Sequence, residues 1–494
     1  MEKLKSKNPV AIIGAGPIGL AAAAHLAGRQ IPFVVFEAST EIGANLLDWG
    51  HVRVFTPWKY IIDKAAEDLL TQMNWEKPDE DGLPSGREIV KEYLEPLSKH
   101  PSMQGRILLN APVLAITKKA LSKIQTPNRE NHPFIVKFVH EGVEQRFESS
   151  TIIDASGTWQ NHSPIGAGGV FAVGELDNEE RIAYRIPDIK GLEKERYANK
   201  SVAVVGGGHS AINSLLDLAD LKKDYPHTTL HWILQNPDLT RIYGGRDADD
   251  LKARGALGIR IEALVNQKAL HIHTPVFIHK IKRSHEKLKL VGENGTLDWS
   301  LDHLDEIIAN TGGRPDFSFL REIRYQADPI LESVPGLAEH IDPNKHSCGS
   351  VKPHGELELK QPETNFYIVG VKSYGRAPTF LLPTGYEQVR SIAAWLAGDE
   401  EAARRVELDL PETGVCNSDF STVGTCCGPA DEKENAPAGA CCAPTSAKKV
   451  HKVSVSQLAD VPTLQKESVV RSSSCCGPAA APAKEKAVKS SCCG

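Results

Sequence analysis

Twice in this chain an apolar run ends in a cluster of glycines and passes straight into a helical pattern. Near the N-terminus the segment is VAIIGAGPIGLAAAAHLAG, carrying Gly14, Gly16 and Gly19; in the middle it is SVAVVGGGHSAINSLLDLADL, carrying Gly206, Gly207 and Gly208, with Ala211 where a further glycine would stand. Strand, tight turn and helix in that order suit one task. The first glycine permits the turn, the second lets backbone N–H groups approach a pyrophosphate, and a small third residue lets helix and strand pack closely. Free N–H groups and the dipole at the helix start then stabilise the phosphate charge. The pair of segments predicts two dinucleotide sites in one α/β chain.

The residues that end the following strands differ between the two. The first is followed by IPFVVFEAS, which places Glu37 to accept hydrogen bonds from adenosine ribose hydroxyls. The second is followed by TTLHWILQN, ending in Gln235 and Asn236 where an acid is usual for NAD. With no acid to repel a 2′-phosphate, and with Arg241 and Arg246 soon after, NADPH is expected over NADH. One bound flavin, FAD, and one exchanging nicotinamide account for two such sites.

Further along, TIIDASGTW (151–159, with Gly157) and EIIANTGGRPD (306–316) are apolar strands that break into turns of small residues. They resemble the crossover turns of two-dinucleotide-domain flavoproteins, and NFYIVGVKSYG resembles the strand whose end, near Gly370, approaches the flavin. That resemblance implies an FAD-binding domain in two parts, 1–160 and 303–413, with an NAD(P)H-binding domain inserted over 161–302. From 414 to 494 Ala, Pro, Ser, Lys and Cys dominate, a composition that buries too little apolar surface to offset its ordering entropy, so a disordered tail is expected.

A net charge of −6 opposes a basic nucleic-acid footprint. The sequence contains no apolar run of membrane-spanning length and no secretory leader pattern, so a cytoplasmic protein with a small-molecule substrate is expected, and no membrane or nucleic-acid partner. A homodimer is compatible with these readings.

The body carries neither the CxxxxC dithiol of glutathione-reductase-type enzymes after the first glycine motif nor the CxxC of thioredoxin reductases in the nicotinamide segment. What stands there instead, DWGHVRVFTPW, resembles the corresponding loop of flavin-containing monooxygenases, and GGGHSA resembles their second glycine motif. The monooxygenase fingerprint FxGxxxH is absent; RIAYRIPDIKGLEKERYANKSV occupies its place. Taken together, IGAGPIGL, GGGHSA, HSCGSVKPHG, KSYGRAPTFLLPTGYEQVRS and LPETGVC resemble FAD/NAD(P)-dependent oxidoreductases encoded with bacterial arsenic-resistance genes. That resemblance implies a monooxygenase-like enzyme acting in metalloid or thiol detoxification, with a thiol or an arsenical as substrate.

Of ten cysteines only Cys348 precedes residue 416. Four vicinal pairs lie in the tail: Cys426 with Cys427, Cys441 with Cys442, Cys475 with Cys476, and Cys492 with Cys493. Adjacent thiolates suit a soft metal or metalloid, and also suit a strained, easily reduced disulfide; a spacer with no specific role is the third alternative. Zinc is not expected, because histidine partners and C-x₂-C spacing are missing. A terminal CC pair also resembles that of mercuric reductase, although the receiving dithiol is absent. By residue type Cys348, His346 and Cys416 are catalytic candidates, with His354 close by, against the alternative of an ordinary loop. His209 is expected to orient the nicotinamide loop.

Overall fold

The computed structural model describes residues 8–249, 251–343 and 354–408. The catalytic candidates His346, Cys348 and Cys416 lie outside the described residues. So do all eight cysteines expected to bind a soft metal or metalloid: Cys426, Cys427, Cys441, Cys442, Cys475, Cys476, Cys492 and Cys493. The expected disordered tail, 414–494, falls outside them as well.

Both glycine-motif strands lie inside parallel sheets. The first sheet has the order β16 (Phe366–Ile368), β7 (Thr151–Asp154), β1 (Val10–Ile13), β2 (Phe33–Phe36), β3 (Ile107–Leu108), all parallel. The second has the order β11 (His271–His273), β10 (Thr229–Ile233), β9 (Ser201–Val205), β15 (Glu306–Ala309), β8 (Ile182–Ala183), likewise parallel. Two antiparallel three-stranded sheets flank them: β4 (Val113–Lys118) with β5 (Phe134–His140) and β6 (Val143–Ser149), and β12 (Phe277–Ser284) with β13 (Lys287–Asn294) and β14 (Leu297–Leu304).

Continuous apolar strands require cover on both faces, which parallel sheets with crossover helices supply. VAII, TIID and EIIA are buried at every residue. The short side chains of helix Pro17–Gly28 let it sink against β1, and Ile18 to Leu26 are all buried. Helix Leu382–Ala397 packs on it, so closely that a Cβ on Gly385 would stand 2.5 Å from Ile18 Cδ1.

The second sheet lies between segments of the first in sequence, as a two-dinucleotide arrangement requires. β15 belongs to the second sheet, beside β9, although its numbers fall in the stretch expected from sequence to return to the first domain. The physical reason is its burial: EIIA needs parallel neighbours on both sides and finds them in β9 and β8. In each sheet the chain reverses its order of travel at the glycine-motif strand, β1 between β7 and β2, β9 between β15 and β10. Ligand crevices in open α/β sheets form outside the carboxyl ends of strands at such switch points.

Candidate functional site: two glycine turns and the cleft between them

At the end of β1 the three glycines are demanded by three different constraints. Gly14 has φ +102°, and a Cβ there would lie 2.8 Å from Ala155 O, so both the turn and the approach of the β7 loop exclude a side chain. Gly19 faces the turn itself: a Cβ would come within 1.9 Å of Gly14 O. Gly16 is different, because a Cβ would meet nothing within 4 Å. Its smoothness serves no intramolecular packing, and it opens the start of helix Pro17–Gly28, where no side chain caps the backbone N–H groups. That open cradle fits a pyrophosphate.

Glu37 lies one residue past β2. Its Oε2 accepts from Ala15 N at 2.7 Å and its Oε1 from Ser39 N at 2.9 Å, which fixes the carboxylate beside the turn with lone pairs left for ribose hydroxyls.

Two further loops converge on this crevice from the ends of β7 and β16. Gly157 has φ +74°, and a Cβ there would stand 3.8 Å from Val371 Cγ1. Gly370, with φ +67°, donates from its N–H to Gln388 Oε1 at 2.8 Å, while its carbonyl accepts from Ser373 Oγ at 2.7 Å. Beneath them Lys372 Nζ lies 2.7 Å from Asp154 Oδ2 and 3.0 Å from Ser156 Oγ, and the lysine and aspartate side chains are wholly buried. The two crossover turns meet each other as well, through a bridge between His162 and Gly313.

The second turn repeats the pattern. Gly206 has φ +128°, and a Cβ would lie 2.3 Å from Asn310 O; Gly208, the N-cap of helix His209–Asp224, would project a Cβ into open space. Ala211 is fully buried, so a methyl is tolerated where helix and strand meet. His209 opens that helix and lies against Phe55 with ring centroids 5.2 Å apart; burial and the nearby Arg254 hold its pKa below the usual histidine value.

Both arginines expected to favour NADPH already have carboxylate partners. Arg241 Nε is 3.2 Å from Asp238 Oδ2, and Arg246 donates to both oxygens of Glu262 at 2.7 and 2.9 Å. Asn236 is engaged in the same strand-end turn, its Oδ1 accepting from Asp238 N at 2.9 Å.

Sequence reading missed the residues that tie the two halves together. Asp48 accepts from Trp159 Nε1 at 2.9 Å and pairs with Arg185; Gln160 Nε2 donates to Asn45 Oδ1 at 2.8 Å, and its Oε1 accepts from Arg185 at 2.9 Å. Trp49 and Trp159 lie 6.3 Å apart alongside. The loop DWGHVRVFTPW therefore reaches both the first crossover turn, through Asp48 and Trp49, and the second glycine motif, through Phe55.

A separate cavity of about 450 Å³ is lined by His25, Arg29, Lys59, Asp63, Tyr386 and Arg390 among others. It sits at the C-terminal end of helix Pro17–Gly28, opposite the glycine turn, so it is no part of the dinucleotide crevice. Among the described residues no group of three or more His, Cys, Asp or Glu side chains is placed to hold a metal ion, and no helix is long and apolar enough to cross a membrane.

Comparison with known proteins agrees with this geometry. The sequence profile of the pyridine nucleotide-disulphide oxidoreductase family matches residues 11–333. A ferredoxin–NADP reductase of Lactococcus lactis subsp. cremoris is 22% identical over 404 residues, covering 82% of this chain and 96% of its own. One of Lactobacillus gasseri is 24% identical over 333 residues, covering 66% of this chain and 81% of its own. The match to the enzyme of that name from Streptococcus gordonii, 26% identical, covers 41% of this chain and 48% of its own. Among solved structures, the FAD-bound cadaverine monooxygenase DfoA of Erwinia amylovora superposes with a TM-score of 0.58 at 14% identity, over 87% of this chain and all of its own. The bacillithiol disulfide reductase of Bacillus cereus gives 0.57 at 19% identity, over 80% and 99%. These likenesses establish the fold, and with the profile match they lead to one conclusion: the chain belongs to the pyridine nucleotide-disulphide oxidoreductase family and is an FAD-dependent oxidoreductase that uses NAD(P)H.

Proposed function

We propose that this protein is a monooxygenase-like flavoenzyme in which NADPH reduces FAD and the electrons pass to O₂, for oxygenation of a soft small molecule such as a thiol or an arsenical. When bound, FAD supplies the hydride-accepting ring and the route by which electrons leave. The chain's own residues do the rest. Gly14, Gly16, Gly19 and Glu37 are assigned to the FAD phosphates and ribose, Gly157 and Gly370 to the flavin end of the crevice, and Gly206, Gly208 and Ala211 to the nicotinamide dinucleotide.

The observation that carries this reading is the latch of Asp48, Trp159 and Arg185 together with Phe55 on His209, in a body whose sequence before residue 416 holds a single cysteine, Cys348. A latch between the two halves favours exclusion of water from the cleft. The lack of a body dithiol supports an external electron acceptor. Oxygen uptake measured against NADPH with candidate thiols and arsenicals tests it: uptake matched to oxygenated product supports the reading, and NADPH consumption that yields only peroxide with every candidate rejects it.

The four vicinal cysteine pairs favour a second reading, a thiol or metalloid reductase in which a tail pair relays electrons. Changing all eight tail cysteines, Cys426, Cys427, Cys441, Cys442, Cys475, Cys476, Cys492 and Cys493, to serine in the full chain would then abolish turnover of thiol or metalloid substrates while dye reduction persists. Unchanged turnover leaves the tail as a soft-metal or metalloid binder, a role that As(III) titration of the full chain reads directly.

A further inference from the structure

Two arginines from separate turns, Arg314 of EIIANTGGRPD and Arg376 of KSYGRAPTF, meet beside Gly169. Arg314 lies in the turn that leaves β15 of the second sheet, and Arg376 in the turn after the 3-10 segment Gly370–Tyr374, which follows β16 of the first. A Cβ on Gly169 would stand 2.9 Å from Arg314 Nη2 and 3.5 Å from Arg376 Nη2, so both guanidinium tips border a space that only glycine leaves free. Gly169, with φ +76°, is suited to glycine on backbone grounds too. Arg314 is fixed in place by donating to Gly169 O and Ser163 Oγ. Arg376 is exposed, and its one carboxylate neighbour among the described residues is Glu332, whose Oε2 is 3.8 Å from its Nε. Among the described residues Glu332 acts on both guanidinium groups, and burial together with Arg376 pushes the Arg314 pKa down. Beside them Val170 and Phe171 expose apolar side chains, 65% and 47% accessible.

We infer that Arg314 and Arg376 form an anion subsite for the substrate, which is accordingly a small organic anion bearing a carboxylate, sulfonate or oxyanion group, its carbon part packing on the Val170–Phe171 edge. Paired arginines are the side chains best matched to such groups, since their donors engage two oxygens at once. The 2′-phosphate of NADPH is the other source of the same chemistry. It belongs at the end of β10, near Gln235 and Asn236, whereas these arginines stand on turns that follow β15 and β16. The inference rests on the flavoenzyme reading above for its place in the reaction.

The test uses the purified full chain, titrated with sodium sulfate and with benzoate at ionic strength held constant by chloride, read by thermal unfolding and by the visible flavin difference spectrum. Saturable responses to both are expected, undiminished by saturating 2′,5′-ADP. Arg376→Gln should weaken both affinities by about ten-fold or more. Arg376→Lys should fall between it and the parent, because a point charge replaces a fork. Glu332→Gln should tighten sulfate binding by removing the competing carboxylate, an effect that a merely structural Arg376 would not produce. A response no larger than that to chloride, equal affinities in Arg376→Gln and the parent, or displacement of sulfate by 2′,5′-ADP would each overturn the assignment. A folded protein lacking any visible flavin spectrum would instead reject the flavoenzyme reading, while its thermal unfolding still reports on the anion.

Discussion

Lys372 Nζ lies 2.7 Å from Asp154 Oδ2, and neither side chain reaches solvent. Asp154 ends β7, Lys372 follows β16, and Ser156 closes the triangle by donating to Asp154 Oδ1 at 2.7 Å. The pair thus welds two neighbouring strand ends below the loops of Gly157 and Gly370.

A buried charge deprived of its partner is costly. Lys372→Met should lower stability by about 3–5 kcal/mol in chemical denaturation, because Asp154 is left buried and unpaired. The double change Lys372→Met, Asp154→Leu should recover a large part of that loss. A single substitution with no measurable cost would contradict the burial described here.

The glycines of the first turn should separate by function. Gly14→Ala faces both a left-handed backbone and a contact at 2.8 Å, so a loss of about 2 kcal/mol or more in unfolding free energy is expected. At Gly16 a Cβ meets no atom of the protein within 4 Å, so Gly16→Ala should leave the apoprotein's unfolding temperature unchanged while reducing FAD content, measured by absorbance of the purified protein.

The latch should matter for coupling and not for stability. Arg185 and Asp48 are 43% and 31% exposed at their side chains, so Asp48→Ala should cost at most about 1 kcal/mol. The same variant should raise the fraction of NADPH electrons appearing as peroxide, because the loop reaching Phe55 and His209 loses its anchor to Trp159 and Arg185.

His231, His271 and His273 share one face of the edge strand β11 and its neighbour β10, with His231 Nδ1 3.2 Å from His273 Nε2. Burial, followed by the two neighbouring imidazoles, pushes the pKa of His231 down to about 4. A histidine whose folded pKa lies below its unfolded one binds fewer protons when folded, so its contribution to stability is lost as pH falls from about 6.5 toward 4. Discounted for partial exposure, His231→Phe should flatten the acid limb of the stability curve by roughly 1–2 kcal/mol, measured by denaturation at pH values across that window.

Much of this fold could be read in the sequence, because its constraints are local. A glycine that needs positive φ, an apolar run too continuous for anything but a parallel sheet, and an acid one residue past a strand each leave a signal within a few positions. Gly14, Gly206 and Glu37 were legible for that reason. Asp48 meets Trp159 across 111 residues and Arg185 across 137, and Arg314 approaches Arg376 only because two different sheets deliver their turns to one place. Nothing in the periodicity of either segment marks such a meeting. The expected preference for NADPH rests on the missing acid at Gln235 and Asn236 and on Arg241 and Arg246 nearby, and the pairing of these arginines with Asp238 and Glu262 is likewise set by tertiary position. β15 and β7 share one pattern, a short apolar strand followed by a turn of small residues, and which sheet each joins is decided by packing.

The central claim is that a nicotinamide dinucleotide held at the second glycine turn passes hydride to a flavin held at the first. Anaerobic rapid mixing of the full chain with NADPH, following the visible flavin absorbance, tests it most directly. The account predicts bleaching whose rate saturates with NADPH in the parent, and in Gly208→Val an unchanged flavin content with bleaching slowed by about ten-fold or more at subsaturating NADPH. A parent protein whose bound flavin is not bleached by NADPH or NADH would contradict it.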